Sequence, residues 1–136
     1  MKTITVAINN VKDIPHEVFK DAAEMLAHKI IDRTPVDTGL LANSWVPTLT
    51  RPSKRVIKTV DKTKRKPKAR ASSVIARMPE DNKFFFTNNQ MYAGIIEMGR
   101  REGPPATGSN LAPLGMARIT AAEWDSIVRM AAERYR

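Results

Sequence analysis

Residues 15–35 read PHEVFKDAAEMLAHKIIDRTP, and this stretch decides the fold class of the N-terminal part of the chain. A proline with acidic residues just behind it is typical of a helix start. Pro35 ends the helix, because the residue before a proline is pushed out of the helical region. The stretch therefore predicts an amphipathic helix. One face of this helix, largely apolar, consists at helical spacing of Val18, Ala22, Met25, Leu26, Lys29 and Ile30.

Strand patterns flank this helix on both sides. Residues 3–9 alternate apolar and polar side chains, as in a half-buried strand. Residues 40–46 predict a turn or short helix that leads into a strand, and residues 56–60 predict an extension of a second strand. Residues 73–78 and 83–87 predict a hairpin around the connector PEDN at 79–82.

The C-terminal part predicts helices around an irregular loop. We expect a short helix at 92–98, a loop rich in glycine and proline at 103–115, and a terminal helix at 114–136. The full order of elements predicts one α+β domain over residues 1–136. In this domain a small antiparallel sheet packs against the long helix and the C-terminal helix.

Phe84, Phe85 and Phe86 stand in a row within the strand predicted at 83–87. Successive side chains of a strand point to opposite faces, so the three rings cannot all enter one core. We therefore expect one side of this strand to meet a partner or another sheet.

The net charge of +9 is concentrated in one segment. Residues 51–70 hold ten basic side chains and a single acid, Asp61, whereas the rest of the chain sums to zero. Val60 is the only apolar residue between Thr59 and Ala69, so we predict a mobile loop or arm here. The basic residues of this segment are Arg51, Lys54, Arg55, Lys58, Lys62, Lys64, Arg65, Lys66, Lys68 and Arg70.

The basic segment contains no aromatic residue, which excludes stacking on unpaired bases. A contact with phosphates or with an acidic protein surface remains, and so does the alternative of a solvated loop that only keeps the protein soluble.

The sequence gives little support for an enzyme. The absence of cysteine excludes disulfides, thiolate zinc sites and thiol catalysis. His16 and His28 would not share one helix face, so His28 is interpreted as a surface residue. Asp37 and Glu97 could form a catalytic pair, but a turn cap and a helix-end salt bridge explain them better. We expect no catalytic residues, no cofactor and no metal.

The first apolar run, residues 4–8, is too short for a signal peptide or a membrane span, so we expect an intracellular protein without a membrane contact.

Two local motifs become informative when they are read together. The first, RTPVDTGLLANS at residues 33–44, directly follows the amphipathic helix, and the second, YAGIIEMG, occupies residues 92–99. This combination resembles the tail-completion, or head–tail joining, proteins of the neck of long-tailed bacteriophages. The resemblance runs from about Pro15 to the end of the chain. Its motif residues are Pro35, Asp37, Thr38, Gly39, Leu40, Tyr92, Ala93, Glu97 and Gly99.

Two features depart from the family's pattern. The second motif usually has an aromatic residue after the glutamate and a threonine after the glycine, where this chain has Met98 and Arg100. The basic segment is also longer and more charged than the family leads us to expect.

The resemblance implies a non-enzymatic structural protein of the virion, made in the host cytoplasm and placed at the head–tail junction. It implies a homo-oligomeric ring, expected to be hexameric, between the head-side connector (an adaptor or stopper protein) and the tail terminator or tail tube. Closing a ring requires heterologous interfaces. The run Phe84–Phe86 and the terminal helix are the candidate faces.

The motif residues themselves allow two interpretations. Asp37 and Thr38 can satisfy backbone donors in a turn, and Gly39 can adopt a positive φ. Tyr92 and Glu97 suit a subunit boundary, yet all these residues could simply fix the junction between helix and sheet.

Two alternatives stay open for the function. The chain could be the tail-terminator protein of the same region, or a small nucleic-acid-binding protein with a disordered basic arm. Within a virion, the basic segment could contact an acidic protein surface or the DNA in the channel, and we favour the protein.

Overall fold

The computed structural model describes residues 4–9, 14–36, 38–90, 93 and 116–135. Within them the elements are strands β1 (Ile4–Asn9), β2 (Trp45–Thr48) and β3 (Lys83–Asn88), and helices α1 (His16–Arg33), α2 (Leu40–Asn43), α3 (Arg65–Ile75), α4 (Ala117–Ala121) and α5 (Trp124–Glu133). The strands form an antiparallel sheet in the order β1-β3-β2. The predicted α+β class is therefore confirmed.

The core lies between one face of the sheet and α1. Alternate residues of β3 enter it, with Phe86 stacked on Trp45 at a centroid distance of 5.0 Å. The long helix α1 supplies Phe19, Leu26 and Ile30, which are fully buried, and it also packs against α3, α4 and α5. The apolar stripe of the sequence thus faces the core as predicted.

The interface prediction for the phenylalanine run requires a correction. Phe84 and Phe86 are fully buried in the core of the chain itself, so their rings are not available to a neighbouring subunit. Phe85 points to the opposite face of the sheet, where it is half-buried. The alternation of the strand places Phe85 on the face opposite to Phe84 and Phe86. Of the three rings, only that of Phe85 could still contact a neighbouring subunit.

The strand predicted at residues 73–78 is wrong. Residues 73–75 belong to α3, whose buried residues Pro67, Ala71 and Ile75 recur at helical spacing. The proline lies in the first turn, where its missing N–H is not needed. There is accordingly no hairpin across residues 79–82, and β3 pairs with β1 and β2 instead.

The predicted strand at residues 56–60 is also wrong, and the predicted basic loop or arm at 51–70 ends earlier than expected, because α3 begins at Arg65. Residues 52–61 form no strand, since no backbone ladder joins them to the sheet. They are nevertheless held in place, because Ile57 is buried and the following residues lead into α3. Hydrogen bonds from the rest of the protein add to the burial of Ile57. The low apolar content of the segment gave no indication of these hydrogen bonds.

The predicted terminal helix is divided into two. Residues 122 and 123 interrupt it between α4 and α5. Within the predicted range, Thr120, Ile127 and Ala131 are buried. Tyr135, which follows α5, is exposed, and its hydroxyl group donates to the Asp21 carboxylate. The helix predicted at 92–98 lies outside the described residues except for Ala93. The loop predicted at 103–115 also lies outside them.

Among the helices of the described residues, none is long and apolar enough to cross a bilayer.

Candidate functional site: the basic segment and its support

Gly39 of the first motif anchors the basic segment. Its φ of +87° lies in the left-handed region, which glycine adopts without steric cost. The backbone N–H of Asp61 donates to the Gly39 carbonyl at 3.2 Å. A Cβ on Gly39 would lie 2.5 Å from the carbonyl carbon of Asp61. Only a residue without a side chain allows the two backbones to approach so closely.

Asp61, the single acid of the segment, organises the start of α3. Its carboxylate accepts hydrogen bonds from the Thr63 hydroxyl at 2.6 Å, the Thr63 N–H at 2.9 Å and the Lys66 N–H at 2.7 Å. The hydrogen bond from the Thr63 hydroxyl, followed by that from the Lys66 N–H, lowers the pKa of Asp61. The negative charge thus satisfies free donors at a helix N-terminus that is otherwise rich in cations.

Buried amide side chains hold the stretch before Asp61. Asn89 donates to the carbonyls of Ser53 and Arg55, each at 2.9 Å. Gln90 donates to the Ile57 carbonyl at 2.6 Å. These amides follow β3 directly and are almost fully buried, so they fix the segment against the end of the sheet.

Asn43 of α2 completes this set of amides. Its side chain donates to the Thr59 carbonyl at 3.1 Å and to the Thr59 hydroxyl at 3.0 Å. The amide residues Asn43, Asn89 and Gln90 were not recognised in the sequence. The run of polar residues immediately after a strong strand is the one signal that could have indicated them.

Three of the ten cations support the fold. Arg70 donates to the carbonyls of Asn43 and Trp45, each at 3.0 Å, and to the Asn43 side-chain oxygen at 3.1 Å. Its guanidinium group therefore joins α3 to the end of α2 and the start of β2. Burial, together with the nearby charge of Arg55, lowers the pKa of Arg70.

The other two supporting cations join α3 to α1. Lys64 donates to the Asp32 carbonyl at 2.8 Å, and Lys68 forms an ion pair with the Asp32 carboxylate at 2.6 Å. Burial lowers the pKa of Lys64, against the opposing effect of the Asp32 charge.

The remaining seven cations face solvent. No carboxylate among the described residues forms an ion pair with any of them. They extend from the end of β2 to the first turn of α3, and a folded support holds their backbone in place. This exposed set consists of Arg51, Lys54, Arg55, Lys58, Lys62, Arg65 and Lys66.

The rest of the first motif has structural contacts. The Thr38 hydroxyl accepts a hydrogen bond from the Leu40 N–H at 3.2 Å, as expected for a residue that fixes a turn. Pro35 follows the end of α1. From the second motif Ala93 is buried, whereas Tyr92, Glu97 and Gly99, together with Asp37 of the first, lie outside the described residues.

The two histidines do not come together as ligands. His28 is half-buried and contacts the Ser72 hydroxyl at 3.1 Å and the Lys68 carbonyl at 3.3 Å, so it links α1 to α3 rather than facing solvent alone. Within the described ranges no three His, Asp or Glu side chains could hold a metal ion. A shallow cavity of about 430 Å³ lies beside Arg51 and Lys54 and is lined by Thr48, Thr50 and Ser53.

Comparison with known proteins gives no relative: no family model matches the chain, and neither a curated protein nor a solved structure is significantly similar to it.

Proposed function

We propose that this chain is a non-enzymatic structural protein of a bacteriophage virion. It joins the tail to the head as a ring, expected to be hexameric, between the head-side connector and the tail. The motifs at residues 33–44 and 92–99 support this proposal by their resemblance to tail-completion proteins. The basic segment is the surface that contacts the neighbouring virion protein.

One observation carries the proposal. Gly39, a residue of the first motif, is packed against Asp61, the residue that organises the start of α3. The motif and the basic segment are therefore one structural unit, in which the motif positions the cations. A segment that served only solubility would not require such support.

The fixed position of the seven exposed cations has an energetic consequence. A disordered arm loses conformational entropy when it binds, which weakens its affinity. A segment that is already folded avoids most of this loss for the backbone. Such a surface suits a specific acidic protein partner in an assembled particle.

A joining assay tests the proposal. Heads and tails prepared from phage lacking this chain are mixed with purified protein, and the infectious particles are counted. We expect the wild type to restore joining and the variant Lys54→Ser, Lys58→Ser, Lys62→Ser to restore little. The control Arg77→Ser, Lys83→Ser, Arg129→Ser removes the same charge from exposed positions elsewhere and keeps activity. Equal joining by both variants would contradict the role of the basic segment.

The tail-terminator role at the same site is distinguished by the tails themselves. A terminator stops tail growth, so tails made in its absence vary in length, whereas tails made without a joining protein keep their normal length. Electron microscopy of those tails separates the two roles.

The seven exposed cations also favour a second function, binding to duplex DNA. A DNA-binding protein would show an affinity that falls with salt, with a log–log slope of about −0.9 for each phosphate contacted. We expect only weak binding to duplex DNA at physiological salt. Tight binding would favour this second function.

A further inference from the structure

Residues 55–61 run as an extended segment, and one of its two edges faces the rest of the protein. The carbonyls of Arg55, Ile57 and Thr59 all accept hydrogen bonds from buried amides, and the N–H of Asp61 donates to Gly39. Anchoring at every second residue is the pattern of a β-strand, whose alternate peptide groups point in opposite directions. The intervening peptide groups therefore point away from the body.

The outward edge of this segment is open. The backbone N–H and carbonyl groups of Val56, Lys58 and Val60 make no hydrogen bond within the described residues. The carbonyl of Trp45 in β2 differs, because it accepts a hydrogen bond from Arg70. An edge with unpaired peptide groups can accept a further strand.

The side chains along this segment indicate what kind of strand would fit. Alternate residues share one face of an extended chain. Here they read Lys, Val, Lys, Val, Lys, and all five are exposed, with Val56 at 48% and Val60 at 51% of their full accessible area. The row consists of Lys54, Val56, Lys58, Val60 and Lys62.

We infer that residues 55–61 bind an acidic extended segment of another protein by β-strand addition. Main-chain hydrogen bonds to Val56, Lys58 and Val60 supply the pairing, and the side-chain row sets the specificity. The partner segment carries acidic residues opposite the lysines and β-branched residues opposite the valines. The inference deepens the proposed function and rests on it only for the source of the partner, a neighbouring virion protein.

The same features argue against other occupants. A second copy of this segment would place lysine opposite lysine, which is unfavourable in a paired sheet. Nucleic acid would use the cations but not the exposed valines or the row of peptide groups. An acidic polypeptide strand would contact the cations, the exposed valines and the unpaired peptide groups.

A peptide-binding experiment on the full chain tests the inference. The probe has the sequence Glu-Thr-Val-Thr-Glu-Thr-Val-Thr-Glu with a fluorescent label, and anisotropy reports binding. We expect saturable binding, and protection of the Val56, Lys58 and Val60 amides from hydrogen exchange. A peptide with lysine in place of glutamate is expected to bind at least about tenfold more weakly to the wild type. It should bind the variant Lys54→Glu, Lys58→Glu, Lys62→Glu better than the acidic probe does.

N-methylated peptides separate strand addition from simple charge attraction. Methyl groups on the amides of the central glutamate and both valines, which face the open edge in the antiparallel register, should abolish binding. Methyl groups on the threonine amides, which face away, should leave binding almost unchanged. Equal binding of the two methylated peptides would overturn the inference, as would preference for duplex DNA over the acidic probe. Because this experiment needs no virion, its failure is distinguishable from failure of the proposed function.

Discussion

The backbone of Gly39 touches the backbone of Asp61: the Asp61 N–H donates to the Gly39 carbonyl at 3.2 Å, with no room for a side chain on the glycine. The same glycine carbonyl accepts the N–H of Asn43 at 3.1 Å, at the end of α2. One residue thus connects the turn after α1, the short helix and the basic segment. This contact explains why a segment with so few apolar residues is folded.

The substitution Gly39→Ala should destabilise the protein strongly. The positive φ alone costs about 1–3 kcal/mol for a residue with a Cβ, and the contact with Asp61 adds to it. Urea unfolding measures the loss. The control Thr38→Ala, which removes one exposed hydrogen bond to Leu40, should cost less than about 1 kcal/mol. Equal losses in the two variants would contradict the close approach at Gly39.

Asp61 should make the start of α3 sensitive to acid. Its folded-state pKa lies below the ordinary value of about 3.9, because the Thr63 hydroxyl and the Lys66 N–H stabilise the carboxylate. The stabilisation is complete above the unfolded pKa and is lost as the pH falls through the folded pKa. We therefore expect wild type to exceed Asp61→Asn in stability near neutral pH, and the difference to shrink below about pH 4. A difference independent of pH would argue against this role.

Arg70 should contribute to stability rather than to partner binding. Removing its side chain leaves the carbonyls of Asn43 and Trp45 without their donor, which costs about 1–3 kcal/mol. We expect Arg70→Lys to lose much of the same stability, since an ammonium group cannot reproduce the planar fork. The control Arg65→Ala changes an exposed cation of the same helix and should stay within about 0.5 kcal/mol of wild type. Thermal melts of Arg70→Ala, Arg70→Lys and Arg65→Ala make the comparison.

The Thr34 hydroxyl should contribute more to the stability of the protein than its size indicates. It accepts from the Trp45 indole N–H at 3.0 Å and donates to the Ile30 carbonyl at 2.7 Å, with both side chains buried. Thr34→Val keeps the shape but leaves a buried indole donor unpaired, at a cost of about 1–3 kcal/mol. Thr34→Ser keeps the hydroxyl and should recover most of the loss. Equal stability of the valine and serine variants would contradict the hydrogen-bond account.

Periodicity predicted the elements with a strong apolar pattern. The stripe of α1 and the alternation of β1 indicated both type and position, because each buries a continuous apolar face. The strand predicted at 83–87 also matches β3. The helix α3 was not recognised, since its buried stripe consists of Pro67, Ala71 and Ile75 with cations between them. A short strand at its C-terminal end was predicted from local composition instead.

The support of the basic segment could not be predicted from local sequence. It depends on amides that lie far away along the chain, and hydrogen bonds between distant residues leave no periodic signal. Gly39 was identified as a residue suited to a positive φ, and this prediction is confirmed. Its partner Asp61 appeared in the sequence only as the one acid that opposes the local positive charge.

A search for this chain in phage particles tests the proposed function most directly. The particles are purified from a phage whose genome carries this sequence, and cryo-electron microscopy shows whether and where they contain the chain. The account predicts a ring at the head–tail junction, with residues 55–61 paired to an extended acidic strand of a neighbouring protein. Absence of the chain from the particle would contradict the account.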